Sequence, residues 1–251
     1  EICEIELEVR NEMVGPGKPF ESPDKIIDEL QRVIKLVLSG LQSTKYPESY
    51  LKLDEVLESY MKLIHGKEHE SRRVLTRDFI GPSSCTLQLK NVVDDPNSSE
   101  PNIQENYCAT DKADGERKLL YINKEGRIYL IDTNMRVQFT GSKTDPKMFA
   151  DSLIDGEHIL YDKDGKYINL YAVFDIYFAN IEPMRNRNFW INASDSDDDK
   201  KIKELLTKNK YRYSELQYFI KALVEENRVH SVVKGAPNDI NIIFCNFRFV
   251  R

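Results

Sequence analysis

Lys112, in the segment Asp111-Lys112-Ala113-Asp114-Gly115-Glu116-Arg117, has the neighbours that a covalent nucleophile needs. A lysine amine is protonated at neutral pH and cannot attack until nearby cations or partial removal from water favour loss of its proton. It also needs a sharp turn, so that the amine faces an electrophile such as a nucleotide α-phosphate. Gly115 offers that turn, through a backbone angle that other residues resist. Arg117, five residues on, can hold a ribose or phosphate by charge-assisted hydrogen bonds.

Acidic and aromatic residues of matching character follow. Leu153-Ile154-Asp155-Gly156-Glu157 and Tyr171-Ala172-Val173-Phe174-Asp175-Ile176 each place carboxylates within apolar, strand-like surroundings. Near the start, Glu4, Glu6 and Glu8 alternate with aliphatic residues, so a strand there carries three acids on one face. Like charges so close repel unless a cation neutralises them. The run Ser194-Asp195-Ser196-Asp197-Asp198-Asp199 reads instead as a solvated loop and the acidic start of a helix over 200–207, because no calcium-loop glycine or closing glutamate follows at the right spacing.

The elements that must position these residues are legible from pattern. Residues 4–9 read as a strand. Ser22-Pro23-Asp24 is a helix start, with a hydroxyl cap, a proline in the first turn and an acid at the positive end of the dipole. Ile26, Ile27, Leu30, Val33, Ile34, Val37 and Leu38 then recur at helical spacing, and Gly40 ends the run. A second helix is expected over 47–64, with Leu53, Val56, Leu57, Tyr60, Met61 and Ile64 on its apolar side, and residues 66–73 read as a linker. Strands are expected over 84–89, over 107–110 leading into the lysine segment, and over 117–123 and 127–132 as a hairpin around Lys124-Glu125-Gly126. Two more, near 154–161 and 168–177, flank the turn at 162–165. A helix over 213–226 and a strand over 239–250 follow.

The composition belongs to a globular protein of 251 residues, 40% hydrophobic and 31% charged. Its apolar runs are too short to cross a bilayer, and no signal peptide is apparent, so no membrane partner is expected and a cytoplasmic setting is. Four widely spaced cysteines, with no CxxC pair, read as reduced thiols rather than a zinc knuckle. A net charge of −6 argues against a uniformly basic nucleic-acid coat while allowing a local basic groove.

Lys112-x-Asp114-Gly115-x-Arg117 resembles motif I of the nucleotidyltransferase superfamily of mRNA capping enzymes and ATP-dependent DNA and RNA ligases. Residues 153–157 resemble motif III, and 171–176 resemble motif IIIa. The resemblance implies that Lys112 takes the nucleotide. It implies that Asp114, Gly115, Arg117, Glu157 and Phe174 bind it, and that Asp155 and Asp175 serve a metal site with Mg2+ or Mn2+. Many capping enzymes have an Asp-Arg pair between motifs I and III; here Thr133 follows Asp132, and Arg136 is the nearest substitute for the ribose contact. Motifs IV and V and an oligonucleotide-binding-fold domain are missing, which reads as a fragment that begins and ends inside a longer enzyme.

Glu4-x-Glu6-x-Glu8 resembles a metal-binding strand of tunnel-type RNA triphosphatases. The combination resembles the multifunctional capping enzymes of large DNA viruses, of poxvirus, asfarvirus and mimivirus type. The fold implied is α+β: the end of a triphosphatase tunnel, a β-barrel, over 1–74, then an antiparallel-sheet nucleotidyltransferase domain with flanking helices over 75–251. The partners implied are GTP, triphosphate and diphosphate RNA ends, and a methyltransferase domain or subunit, in a viral factory or virion. A polynucleotide ligase and a non-catalytic nucleotide-binding module are the rival readings.

Overall fold

A computed structural model describes residues 5–66, 73–93, 101–104, 107–190, 211–226, 228–245 and 247–249. Contacts divide the chain into two compact units, Glu1–Ser49 and Tyr50–Arg251.

In the first unit, residues 5–10 form no strand, and Glu6 and Glu8 are exposed; no neighbouring strand pairs with them among the described residues. Glu4 lies outside the described residues. Helix α1 (Pro23–Gln42) begins where the capping pattern places it, with the Ser22 side chain accepting from the Lys25 backbone N–H at 3.5 Å and Pro23 in the first turn. It runs through Gly40 and stops at Ser43, which is left-handed at φ 50°. The expected stripe is present as a pattern but none of α1 is fully buried, and Ile27 and Ile34 are about half exposed.

The second unit is built on one sheet. Strands β1 (Cys108–Thr110), β2 (Glu116–Ile122), β3 (Arg127–Asp132), β4 (Val137–Lys143), β5 (Ser152–Tyr161), β6 (Tyr167–Ala179), β7 (Glu182–Pro183), β8 (His230–Ser231), β9 (Asn241–Phe244) and β10 (Phe247–Phe249) follow in chain order. Eight of them form a mixed, mostly antiparallel sheet in the order β7-β6-β5-β2-β3-β4-β8, with β9 parallel to β6. β1 and β10 make a separate two-stranded pair. The expected 239–250 strand is thus split into two strands that serve different sheets. The expected 84–89 strand is irregular chain, and β4 is a strand that the pattern did not reveal.

β2 is covered on both sides. Leu120 and Ile122 join the main core with Ile154, Val173 and Ile176 of the sheet and with Leu216, Phe219 and Ile220 of α4 (Arg212–Ile220). A π-helical turn, Lys221–Glu225, continues α4. On the other side, Tyr121 meets Tyr60 of α2 (Tyr50–His65) edge to face at 6.2 Å. α2 buries Leu53, Val56, Tyr60 and Met61. A short helix, α3 (Pro146–Phe149), supplies Phe149 to the main core. The segment over 191–210, with its acidic run and expected helix, lies outside the described residues. Among the described residues no helix is long and apolar enough to cross a membrane.

Tyr171 fastens the central strands together. Its ring, fully buried on β6, passes across Gly156 of β5, where an added Cβ would come within 2.6 Å of the Ala172 carbonyl oxygen and 2.7 Å of the Tyr171 ring. The hydroxyl then accepts from the Leu120 N–H at 3.1 Å and lies 2.8 Å from the Lys118 carbonyl and 3.0 Å from that of Ile154, its acceptors. Tyr171→Phe leaves a buried backbone donor without its acceptor and should cost about 1–3 kcal/mol, read as a lower urea midpoint at unchanged m-value. A midpoint equal to the parent's would show that these strands do not depend on the hydroxyl.

Candidate active site

The lysine loop, residues 111–115, leaves β1 and enters β2. Lys112 projects into solvent, with 84% of its side chain exposed, and pairs with the equally open Asp114 carboxylate. The hydrogen bond and charge of Asp114, helped by the more distant charge of Glu157, raise the amine above its ordinary value. That electrostatic setting stabilises the ammonium, the opposite of what attack requires. Among the described residues no cation cluster lowers the proton affinity of Lys112; a carboxylate raises it.

Gly115 is required for a different reason from the expected one. Its φ is not positive. A Cβ there would lie 2.5 Å from the His158 carbonyl oxygen, so the glycine lets the loop lie against β5. The Gly115 N–H donates to the Glu157 carboxylate, which opposes the upward push that burial gives that acid. Glu157 also sits opposite Arg117 in the β2–β5 register. Lys112, Gly115, Arg117 and Glu157 are therefore gathered at one place by strand pairing.

Arg117 is held on every side. Its Nε and Nη2 donate to the two oxygens of Asp155 at 3.1 and 2.5 Å, and Nη1 donates to the Pro82 carbonyl. The guanidinium lies over the Phe79 ring at 5.7 Å and the Phe174 ring at 5.6 Å. Asp155 is fully buried and also accepts from the Tyr177 hydroxyl, whose own ionisation burial and the carboxylate push far upward. Asp175, opposite Asp155 on β6, receives Arg212 in the same forked manner, at 2.8 and 3.0 Å. Burial raises the Asp175 carboxyl, and Arg212 works against that rise. A β-bulge between the register pairs Asp155/Asp175 and Gly156/Val173 accommodates Phe174 and lets its ring reach Arg117.

The expected metal role fits this arrangement poorly. Asp155 and Asp175 are each committed to an arginine fork, and a bound cation would compete with a guanidinium already in place. Among the described residues no group of three or more His, Cys, Asp or Glu side chains could hold a metal ion. Glu6 and Glu8 stand exposed on irregular chain. Arg136 is exposed in the β3–β4 turn, where its backbone N–H caps on Asp132 at 2.9 Å and its carbonyl accepts the Asp132 N–H; it acts there as a turn residue.

Residues outside the motifs complete the site. Phe79 and Pro82 wall off Arg117, Tyr177 supports Asp155, and Arg212 neutralises Asp175. Only Tyr177 left a local signal, as it lies two residues beyond Asp175 on the same alternating strand. On β2, β5 and β6 a buried polar chain runs from Lys118 Nζ to His158 Nδ1 at 3.0 Å, from His158 Nε2 to Asn169 Oδ1 at 2.7 Å, and from Asn169 Nδ2 to the Asp239 carbonyl at 2.9 Å. Burial lowers His158, so the neutral ring that this chain needs is favoured. Cys108 and Cys245, unbridged like Cys85, have thiols pushed up by burial, which suits structural rather than reactive sulfur.

A probable mRNA-capping enzyme of Acanthamoeba polyphaga mimivirus is 30% identical to this chain over 154 residues, which is 61% of the chain and 12% of that protein's length. Residues 99–225 match the family described as the mRNA capping enzyme catalytic domain, a stretch that holds the lysine loop, both arginine–aspartate forks and the bulged Phe174. Since that match takes in half of its length, the chain belongs to the mRNA capping enzyme catalytic-domain family.

Proposed function

We propose that this chain carries the guanylyl-transfer step of mRNA 5′ capping, with Lys112 as the covalent acceptor. The observation that carries the reading is that an accessible lysine stands at the entrance to β2 with Glu157 and Arg117 beside it. In the forward step the neutral Lys112 amine attacks the α-phosphorus of GTP. A P–N bond forms, the bond from the α-phosphorus to the bridging oxygen breaks, pyrophosphate leaves, and the nitrogen gives up its second proton to solvent. In the return step an oxygen of the RNA 5′-diphosphate attacks the same phosphorus, the P–N bond breaks, and Lys112 takes up a proton.

The resting pair Lys112–Asp114 must open before attack. Incoming phosphate charge competes for the ammonium, and Arg117, already oriented by Asp155, offers a cation for a ribose or phosphate oxygen. Mg2+ or Mn2+ belongs to this reading through the family resemblance alone. The two arginine-bound carboxylates offer such an ion no cage, and an ion that arrives on the triphosphate is the form this site can accept. The fusion to an RNA triphosphatase, the methyltransferase partner and the viral-factory setting rest likewise on resemblance. For the triphosphatase, the acidic alternation at Glu4, Glu6 and Glu8 is the support.

Three outcomes test the proposal in the full-length protein. Incubation with α-labelled GTP and magnesium followed by a denaturing gel should show a labelled band that Lys112→Arg abolishes, since arginine keeps its charge and cannot lose a proton to attack. A band formed from ATP alone would favour a ligase, and undiminished labelling of the variant would remove Lys112 from the mechanism. Because Asp114 raises the Lys112 amine, labelling should accelerate as pH rises above neutrality. Asp114→Asn removes the carboxylate, lowers the proton affinity of the amine and should move that rise to lower pH; an unmoved profile would show that the pair does not control the amine. Phosphate release from triphosphate-ended RNA, lost in Glu6→Ala while GMP labelling persists, is the outcome expected of an upstream triphosphatase.

A further inference from the structure

The match to the catalytic-domain family begins at residue 99, yet Arg117 is gripped by residues well ahead of it. Tyr60 of α2 donates its hydroxyl to the Asp78 carbonyl at 2.6 Å. The Asp78 carboxylate takes the Leu75 N–H at 2.8 Å and lies 3.0 Å from His65 Nε2. These bonds fix the short 3-10 turn Thr76–Asp78 on the end of α2 and set the direction of the chain that follows. Phe79 then lays its ring against the Arg117 guanidinium, and Pro82 offers its carbonyl to Nη1. Gly81 lies between them at a spot where an added Cβ would sit 2.7 Å from the Phe79 ring and 2.8 Å from Arg117 Nη2. The segment is thus pressed onto the arginine as closely as a chain without a side chain allows.

We infer that Phe79 is a positioning residue for nucleotide binding: with Phe174 it sets a ring face against the Arg117 guanidinium and so aims its remaining N–H groups at the nucleotide. The inference rests on the reading of Lys112 as the nucleotidyl acceptor. Asp155 fixes one edge of the guanidinium through two bonds, but a fork alone still lets the plane tilt about that edge. Contact with two ring faces resists that tilt, and the cation is attracted to both. About a quarter of the Arg117 side chain remains exposed, so the aimed edge reaches solvent. Phe79 is itself only half-buried, which separates its contact with the arginine from any large share in the core.

The test is the GTP dependence of covalent labelling in the full-length protein, compared among the parent, Phe79→Leu and Phe79→Tyr, with melting temperatures recorded for each. Leucine fills the space without a ring face, so KM for GTP should rise about three- to tenfold while the maximal labelling rate stays within about twofold. Tyrosine keeps the ring face and should restore KM to about the parent value. Phe79→Met provides a second ring-free side chain, with the same expected rise in KM, should the leucine variant not fold. An unchanged KM in the ring-free variants overturns the inference. So does a tyrosine variant as impaired as leucine, or an equal fall in rate and affinity. Absence of labelling in the parent would instead count against the Lys112 reading, which keeps the two failures apart.

Discussion

A carboxylate with no exposed surface, set in the middle of a sheet, is tolerable only with its charge answered on the spot. Asp155 is in that position, and Arg117 answers it through two hydrogen bonds, with the Tyr177 hydroxyl filling a further lone pair. Stripping one partner from such a pair costs about 3–5 kcal/mol, because the other charge stays buried alone. Much of the site depends on this pair. Arg117 cannot rotate away from β5 without stranding Asp155, so the lysine loop just before it is anchored at its downstream end. Phe79, Pro82 and Phe174 gather around the same guanidinium and bring three distant stretches of sequence to one point. On the neighbouring strand Asp175 and Arg212 repeat the arrangement and tie the start of α4 to the sheet.

That double pairing changes the meaning of the acidic residues. Carboxylates spaced through a candidate nucleotide site look like ligands when read one by one. Paired with guanidinium forks, they become the framework that orients the two arginines. Glu157 differs: it is half-buried, accepts only a backbone N–H from the loop and lies within electrostatic reach of Lys112. It is the acid of this group best placed to respond when a nucleotide arrives.

What the sequence disclosed, and what it withheld, divides along physical lines. Local rules succeeded where local forces decide. Ser22 and Pro23 start α1, the Lys124-Glu125-Gly126 turn joins β2 to β3, and the turn at 162–165 joins β5 to β6. Lys112, Glu157 and Phe174 were singled out from the sequence, and the structure sets their motifs on, or at the entrance to, the paired strands β2, β5 and β6. Partners were not legible, since Arg212 and Phe79 reach their places through tertiary packing that no spacing encodes. The alternation at residues 4–9 makes no strand over its described part for a related reason: period two describes a strand only where a neighbouring strand pairs with it, and none does among the described residues. Gly115 was rightly marked and wrongly explained, because sequence shows a glycine but not whether its dihedral or its missing side chain is needed.

The pairing of β1 with β10 has a consequence for the order in which the molecule can be made. Cys108, four residues ahead of Lys112, is opposite Phe249. Most other neighbours in the sheet are adjacent hairpins that can zip up as they leave the ribosome. The upstream anchor of the lysine loop cannot form until residue 249 has been synthesised and has folded back. Between the synthesis of residue 155 and that of residue 249, then, the growing chain can pair β2 with β5 and bury Asp155 against Arg117 while the lysine loop is tethered on one side only. Completion of the loop's anchoring waits for a long-range closure, and a nascent chain halted before that point would display the lysine without the strand that steadies it.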